Sequence, residues 1–207
     1  MLLRRISAIV CSIFIFFSLS ACQESGAKLS TLIPRAVILA FGDSLTYGTG
    51  ASLNAGYPHD LQVLTGLPVI NAGVPGEETR EGLARLGPVL QQVHPQLVIL
   101  CLGANDLMHQ RPEEQIKENL RKMILLIQNS GAQVVLLAVP TLSWNLTVPD
   151  LYAELGKELQ VPVDTQLIAQ LERIPEYKSD YIHFNNRGYQ AMAEAILQFL
   201  KDHGAFS

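Results

Sequence analysis

Short apolar runs alternate with longer amphipathic segments along this chain from about residue 36 to its end. Five runs are typical of buried strands, at residues 36–41, 69–71, 97–102 and 134–139, with a weaker one at 161–163. Such alternation is typical of a parallel sheet with helices on both faces. The pattern therefore predicts an α/β fold, a three-layer α/β/α sandwich with about five parallel strands.

The clearest helix is predicted for residues 113–127, where apolar side chains recur at helical spacing. Pro112 suits the start of this helix, and Gly131 stands where a C-terminal cap is expected. A second helix is predicted for residues 186–200, with Asn185 as its N-cap.

Two further segments, residues 79–93 and 150–159, also have helical patterns. The first contains Gly82, Gly87 and Pro88. Because proline removes a helix hydrogen bond and glycine weakens a helix, these residues predict a break within 79–93.

The first residues have the layout of a secretory signal peptide. Arg4 and Arg5 give a positive start, residues 6–19 form an uncharged apolar run, and Ser20 and Ala21 are small. The run is shorter than the roughly 20 residues that a spanning helix needs, although an uncleaved anchor remains an alternative. We therefore predict that residues 1–21 are a signal peptide.

Residues 19–22, Leu-Ser-Ala-Cys, resemble the bacterial lipobox. This resemblance implies a lipid on Cys22, a lipidated tether over residues 22–34 and a folded domain over residues 35–207. The expected location is the periplasmic side of a membrane, or the cell envelope, where the lipid anchors an exported lipoprotein.

Cysteine usage fits this division of the chain. Cys11 would leave with the signal peptide and Cys22 would carry lipid, so only Cys101 remains and no internal disulfide is predicted. Cys101 lies inside an apolar run, where a buried side chain is the better interpretation than a reactive thiol.

Composition limits the possible functions. The chain has 207 residues, of which 48% are hydrophobic and 16% charged, which suits one compact domain, expected to be a monomer. Its formal charge of −4 becomes −6 when residues 1–21 are removed, because they hold two arginines and no acids. No stripe of Lys and Arg is present, so nucleic acid is not expected as a partner.

The first predicted strand runs directly into Gly42-Asp43-Ser44-Leu45, so Ser44 stands at a strand-to-helix turn. There its hydroxyl can face a cleft, and the N–H groups of the helix start can face developing negative charge. Taken alone, a serine beside Gly and Asp more often belongs to an ordinary turn or cap.

Two more loops follow predicted strands and carry Gly and Asn. They are Asn71-Ala72-Gly73 after the second strand and Gly103-Ala104-Asn105-Asp106 after the third. Glycine leaves its N–H open to close approach, and an Asn amide is an uncharged donor. Because the carboxyl ends of parallel strands meet at one edge, these donors and the Ser44 N–H could surround an oxyanion.

Near the C-terminus, Asp180 precedes His183 by three residues. An acid at this spacing can orient an imidazole towards a serine hydroxyl. Asp164 is a competing acid, but it stands at the start of a predicted helix, where capping explains it. The other histidines have no such acidic partner in the sequence and are interpreted as surface residues: His59, His94, His109 and His203.

Together, the four segments resemble the conserved blocks of the GDSL or SGNH hydrolases, in the family's order and at similar separations. They are Gly42-Asp43-Ser44-Leu45, Asn71-x-Gly73, Gly103-x-Asn105-Asp106 and Asp180-x-x-His183. The similarity extends from residue 36 to the C-terminal helix, and is greatest to the bacterial arylesterase, thioesterase and lysophospholipase group. It implies the flavodoxin-like SGNH fold.

The resemblance implies a serine esterase that hydrolyses carboxylic esters or thioesters through an acyl-enzyme, with small-molecule or lipid ester substrates. The implied triad is Ser44, His183 and Asp180, and the implied oxyanion donors are the Ser44 and Gly73 N–H groups and the Asn105 side chain. No metal or organic cofactor is needed.

The substrate pocket is harder to predict. Leu142 and Trp144 lie in the loop 141–149 after the fourth strand, where they could line an acyl site or pack against the core. Two alternatives to an esterase of small esters also stay open: a polysaccharide O-deacetylase with the same fold, and a catalytically silent binding lipoprotein.

Overall fold

The computed structural model describes residues 27–206. Its centre is a sheet of five parallel strands in the order β2-β1-β3-β4-β5. The strands are β1 (Ile38–Gly42), β2 (Val69–Gly73), β3 (Leu97–Cys101), β4 (Gln133–Leu137) and β5 (Val163–Asp164). This order is that of the flavodoxin-like folds, so the predicted fold class is confirmed.

Eight α-helices connect and follow the strands in the described residues. They are α1 (Ser44–Tyr47), α2 (Tyr57–Thr65), α3 (Thr79–Val93), α4 (Ala104–Met108), α5 (Glu113–Asn129), α6 (Leu151–Leu159), α7 (Leu167–Glu172) and α8 (Asn186–Asp202). α2 packs on α8, whereas α3 packs on α5 and α5 on α6. Connections between parallel strands are right-handed, and the strand order reverses after β2. The pair α2 and α8 therefore covers one face of the sheet, and α3, α5 and α6 cover the other.

The central strands form the middle of the hydrophobic core. Every residue of β1 and β3 is buried. Strands covered on both faces are expected to be continuously apolar rather than alternating, which is why short apolar runs marked them in the sequence. The weakest predicted strand is the least regular, because β5 consists of two residues, Val163–Asp164, rather than residues 161–163.

α3 is continuous over Thr79–Val93, so the predicted break is wrong. Pro88 lies on the exposed side of the helix. Gly82 is buried, and a β-carbon at this position would lie 2.7 Å from Leu102 Cδ1. The glycine therefore allows the helix to pack closely on the sheet and does not interrupt it.

Two short helices, α2 and α4, were not predicted. α2 buries only Tyr57, Pro58 and Leu61, which is too few apolar positions for a clear helical pattern. By contrast, α5 ends at Asn129 with Gly131 in the left-handed region at φ 87, as expected for its C-terminus.

Residues 27–34 lie against the domain, although the sequence assigned them to the tether. Leu29 and Leu32 are 9% and 8% exposed and belong to the core. Their N–H groups donate to the carbonyls of His203 and Ala205, just after α8. The folded unit therefore begins before the predicted boundary at Arg35.

The predicted signal peptide (residues 1–21), the predicted lipidation site Cys22 and the first part of the tether lie outside the described residues.

Candidate active site

Ser44 is the first residue of α1 and directly follows the turn at the end of β1. Asp43 caps this helix, because its Oδ1 accepts a hydrogen bond from the N–H of Leu45 at 3.0 Å. A β-carbon on Gly42 would lie 2.3 Å from the carbonyl oxygen of Cys101 and from Thr46 Oγ1, so only glycine fits there. The Ser44 N–H belongs to the first turn, where a helix offers it no acceptor.

The structure brings Ser44, His183 and Asp180 together in one line. His183 Nε2 lies 3.0 Å from Ser44 Oγ, although the two residues are 139 positions apart. On the other side of the ring, Nδ1 lies 2.9 Å from Asp180 Oδ2. With the ring proton on Nδ1, Nε2 is free to accept the hydroxyl proton.

Asp180 is held as an anion. Its Oδ1 accepts the N–H groups of Ile182 and His183, each at 2.8 Å. Partial burial works against ionisation, but the hydrogen bonds from the His183 N–H, the His183 ring and the Ile182 N–H outweigh it and lower the pKa of Asp180 to about 2. The carboxylate is therefore charged beside the imidazole throughout the neutral pH range.

The loop that carries His183 is tied down on both sides. Asn185 caps α8 through Gly188 and donates from its side chain to the carbonyls of Glu176 and Lys178. Gly50, in the left-handed region at φ 92, packs so closely on this loop that a β-carbon would lie 2.7 Å from the Phe184 carbonyl oxygen. These contacts fix the direction of the imidazole towards Ser44.

Asn105 lies in the first turn of α4, at the end of β3, and is 9% exposed. Its Nδ2 donates to the carbonyl oxygen of Glu77 at 3.0 Å and, more weakly, to Asp43 Oδ2 at 3.4 Å. The amide therefore bridges the turn before Ser44 and the loop after β2.

The N–H of Gly73 is engaged elsewhere, since it donates to Asn71 Oδ1 at 2.9 Å. This corrects the expectation that it points into an oxyanion hole. A β-carbon on Gly73 would lie 2.2 Å from the Tyr47 nitrogen, so this glycine allows β2 to approach α1. Further along the same loop, Gly76 has φ 82, and among the hydrogen bonds of residues 27–206 its N–H has no acceptor.

Asp43 is fully buried beneath this site. The pKa of Asp43 is raised to about 7, mainly by burial. The bond from the Leu45 N–H works against this rise, and the charges of Glu77 and Asp106 add to it. This carboxyl is therefore partly protonated near neutral pH, unlike Asp180.

The sequence analysis did not identify several side chains that support the site. Asp106 accepts the N–H of Thr79 at 2.8 Å and its hydroxyl at 2.6 Å, which joins α4 to the start of α3. Glu78, which caps α3, accepts from Arg111, and His109 Nδ1 lies 2.6 Å from Glu78 Oε1. His109 thus has an acidic partner, contrary to expectation. Such long-range pairs leave no local pattern in the sequence.

Asp164, the competing acid in the sequence, caps a helix as predicted. Asp164 Oδ1 accepts the N–H groups of Gln166 and Leu167 at 2.8 and 2.7 Å, at the start of α7. Asp164 therefore has a capping role and is not the acid that His183 contacts.

Leu142 and Trp144 meet neither expectation for the loop 141–149. They are 52% and 95% exposed, so they neither line an enclosed pocket nor pack against the core. The loop folds on itself, with the Thr141 N–H donating to the Thr147 carbonyl, and Arg173 donates to the Asn145 carbonyl.

A cavity of about 590 Å³ lies beside the turn that carries Ser44, between α1, α2 and β2. Tyr47, Leu53, Pro58, Val69 and Gly73 are among its lining residues. The cavity therefore lies on the β2 side of Ser44, away from β3, and its walls are partly apolar and partly polar.

Within residues 27–206, no helix is both long enough and apolar enough to span a bilayer. The same residues contain no group of three or more His, Cys, Asp or Glu side chains arranged to hold a metal ion.

Comparison with known proteins agrees with the geometry. Residues 40–191 match the GDSL-like Lipase/Acylhydrolase family. An arylesterase of Vibrio mimicus is 32% identical over 203 residues, covering 93% of this chain and 97% of that protein. The thioesterase 1/protease 1/lysophospholipase L1 of Escherichia coli (strain K12) is 27% identical over 172 residues, covering 79% and 83%.

Solved structures show the same fold. The esterase EstA from Pseudoalteromonas sp., inhibited by monoethylphosphonate, superposes with a TM-score of 0.72 at 21% identity and covers 80% of this chain and 96% of its own. AlinE4, an SGNH-hydrolase family esterase, gives a TM-score of 0.64 at 25% identity and covers 83% and 97%.

Proposed function

Because this chain belongs to the GDSL-like lipase/acylhydrolase family and is a serine ester hydrolase, we propose that Ser44 is its nucleophile, His183 its general base and Asp180 the acid that orients His183. The carrying observation is the hydrogen-bonded line from Asp180 Oδ2 through the imidazole to Ser44 Oγ, with distances of 2.9 and 3.0 Å. A serine hydroxyl needs such a base to become nucleophilic at neutral pH.

In the first half of the reaction, His183 Nε2 takes the proton of Ser44 Oγ as the oxygen attacks the ester carbonyl carbon. The tetrahedral intermediate then collapses, its bond to the leaving oxygen breaks, and His183 donates the proton to the departing alcohol. Asp180 stabilises the imidazolium between these two transfers. The product of this half is an acyl group on Ser44.

In the second half, His183 takes a proton from water, which attacks the acyl carbon. The second tetrahedral intermediate expels Ser44 Oγ, which regains its proton from His183. The carboxylic acid leaves, and the enzyme returns to its starting state. Both halves need the same stabilisation of an oxyanion.

The proposed oxyanion donors are the Ser44 N–H, the Asn105 amide and an N–H of the loop after β2. For the last donor we choose Gly76 over Gly73, because the Gly73 N–H already donates to Asn71. Asn105 can turn its weaker hydrogen bond, 3.4 Å from Asp43, towards a bound oxyanion.

We propose aryl esters as the preferred substrates, with thioesters and lysophospholipid esters as further candidates. The first class is chosen because the relative named arylesterase matches 93% of this chain. A polysaccharide O-deacetylase or a silent binding lipoprotein has less support, since both named relatives are hydrolases of ester or thioester bonds by name.

The test combines active-site labelling with turnover. The purified protein is treated with a fluorophosphonate and assayed on p-nitrophenyl esters of increasing acyl length. Ser44→Ala should lose labelling and nearly all turnover while staying folded, and Ser130→Ala, at the far end of α5, should retain both. Full activity of folded Ser44→Ala would overturn the proposal, and activity confined to acetate would favour the deacetylase.

For the location, we propose that the chain is exported and lipidated on Cys22. The support is the signal-like pattern of residues 1–21 and the lipobox that ends at Cys22. When the full chain is expressed in bacteria that are fed radioactive palmitate, the protein should incorporate label. Cys22→Ala should abolish incorporation, Cys11→Ala should not, and equal labelling of both variants would contradict the proposal.

A further inference from the structure

Arg85 projects from α3 onto the carboxyl ends of two strands. Its guanidinium carbon lies 4.0 Å from the centroid of the Phe41 ring. Nη2 donates to the carbonyl oxygens of Ala72 at 2.8 Å and Gly42 at 3.4 Å. Nε and Nη2 also donate to the two carboxylate oxygens of Glu77, at 2.5 and 2.6 Å. One cation thus joins β1, β2 and the loop that follows β2.

These contacts hold both ends of the segment of residues 72–77, which comprises the end of β2 and the loop that follows it. Ala72 begins this segment and Glu77 ends it, and the same guanidinium binds both. Gly76 lies inside this loop. Because a planar guanidinium donates in fixed directions, it sets the separation of the two ends as a flexible ammonium could not.

Arg85 is also linked, through one intervening residue each, to the two other proposed oxyanion donors, the Ser44 N–H and the Asn105 amide. The carbonyl of Gly42, which also accepts the Val74 N–H at 3.0 Å, immediately precedes the Asp43-Ser44 turn. The backbone carbonyl of Glu77 accepts Nδ2 of Asn105 at 3.0 Å. Arg85 therefore contacts, directly or through one residue, each segment that supplies an oxyanion donor.

The ion pair between Glu77 and Arg85 is largely shielded from solvent. The Glu77 side chain is 4% exposed and that of Arg85 26%. A buried carboxylate without its cation is strongly disfavoured, so Glu77 and Arg85 hold each other in place. Nothing in the reaction itself uses the charge of either residue.

We infer that Arg85 is a positioning residue that sets the geometry of the oxyanion hole through Glu77 and the segment of residues 72–77. This inference rests on the proposed function. Its consequence is that a change at Arg85 weakens binding of the tetrahedral transition state and leaves binding of the ground-state ester almost unchanged.

The experiment compares Arg85→Lys with Arg121→Lys. Arg121 is a fair control because it also binds two carboxylates, those of Glu118 and Glu158, but on α5 and α6 away from Ser44. For Arg85→Lys we expect kcat on p-nitrophenyl acetate to fall about 10- to 100-fold, below the effect of losing a whole donor. KM should change less than about 3-fold, and Arg121→Lys should match the wild type.

A second measurement separates positioning from a general loss of structure. A trifluoromethyl ketone forms a tetrahedral adduct with the nucleophilic serine, so its Ki depends on the oxyanion hole. In Arg85→Lys, this Ki should rise by the same factor by which kcat/KM falls. A fall in kcat with an unchanged Ki, or a rise in KM alone, would overturn the inference.

A second variant covers the case in which Arg85→Lys does not fold. Arg85→Met combined with Glu77→Gln removes the cation without leaving a buried charge, and the same matched change in kcat/KM and Ki is expected. If both Arg85 variants behave like Arg121→Lys, the inference fails while the proposed function stands. If the wild type neither hydrolyses esters nor is labelled, the proposed function fails instead.

Discussion

Asp180 determines how the His183 ring faces Ser44, because it accepts both the ring Nδ1–H and the loop N–H groups beside it. Asp180→Asn keeps the size of the side chain but removes the charge that favours this tautomer. We expect kcat to fall on the order of 10²- to 10⁴-fold, with little change in KM. Steady-state kinetics on p-nitrophenyl acetate measures the effect.

The matched control is Asp164→Asn. Asp164 also accepts two backbone N–H groups, but it caps α7, and an Asn oxygen can accept the same bonds. Its activity should stay within about 2-fold of the wild type. Equal losses in both variants would mean that neither carboxylate has a specific role beside His183.

Asp43 links the protonation of one buried residue to the stability of the fold. Its pKa is about 7 in the folded protein, against an ordinary value of 3.8. Between about pH 4 and 7 the folded state holds a proton that the unfolded chain has released. The contribution of Asp43 to the free energy of unfolding therefore falls as the pH rises through this window.

Asp43→Asn removes this pH dependence and keeps an oxygen to cap Leu45. Between pH 5 and pH 8 the wild type should lose up to about 3 kcal/mol more unfolding free energy than the variant does, since one pKa unit corresponds to about 1.4 kcal/mol. Urea unfolding at the two pH values measures this difference. Parallel pH dependences in the two proteins would show that Asp43 is ionised in the fold.

Residues with a local signature were found from the sequence, and residues without one were not. Ser44 and Asn105 each follow a predicted strand, and strand ends meet at one edge, so their proximity could be expected. His183 was found from the acid that precedes it by three residues. Arg85 and Gly76 carry no such signal, because their importance depends on which backbone groups face them. The direction of the Gly73 N–H was likewise decided by a competing side chain, Asn71.

At the scale of elements, α3 shows how a correct helical pattern can carry misleading break signals. Gly82 and Gly87 look alike in the sequence, but their surroundings differ. A β-carbon on Gly82 would lie 2.7 Å from Leu102 Cδ1, whereas for one on Gly87 the nearest atom of another helix or strand, Leu126 Cδ2, would lie 3.9 Å away. Packing, which the sequence does not show, decides what each glycine does.

The two glycines should therefore respond differently to alanine. Gly87→Ala should change the free energy of unfolding by less than about 0.5 kcal/mol, because the helix preference of alanine is offset by crowding of its β-carbon against the ring of Pro88, which follows it in the helix. Gly82→Ala should lower it by about 1 to 3 kcal/mol, because Leu102 must move. Denaturant titration of both variants tests this, and stabilisation by both would mean that α3 does not pack tightly on the sheet.

The presence or absence of a repeating apolar pattern separates the well-predicted elements from the loops. α5 has a regular apolar stripe and defined ends, and it formed where expected. Loop 141–149 has apolar residues without a repeating pattern, so the sequence could not show that Trp144 points to solvent. Burial of a strand or helix follows from periodicity, but burial of a loop residue depends on contacts across the fold.

At the scale of the whole molecule, the two ends of the parallel strands carry different parts of the protein. The proposed catalytic residues lie at the carboxyl ends of the strands, whereas residues 27–34 lie at the amino ends. Gln133 at the start of β4 exchanges hydrogen bonds with Ser30, and Gln96 just before β3 accepts the Ile33 N–H. A lipid on Cys22, as proposed above, would thus hold the domain by the edge opposite to Ser44.

This separation predicts that the N-terminal segment can be weakened without affecting catalysis. Leu29→Ala and Leu32→Ala should each lower the free energy of unfolding by about 2 kcal/mol, because both side chains are buried in the core. Ile33→Ala is the matched control, since Ile33 is 63% exposed, and should change it by less than about 0.5 kcal/mol. Under native conditions all three variants should retain wild-type kcat. A large loss of kcat in folded Leu29→Ala or Leu32→Ala would mean that the amino edge influences the position of Ser44 across the sheet.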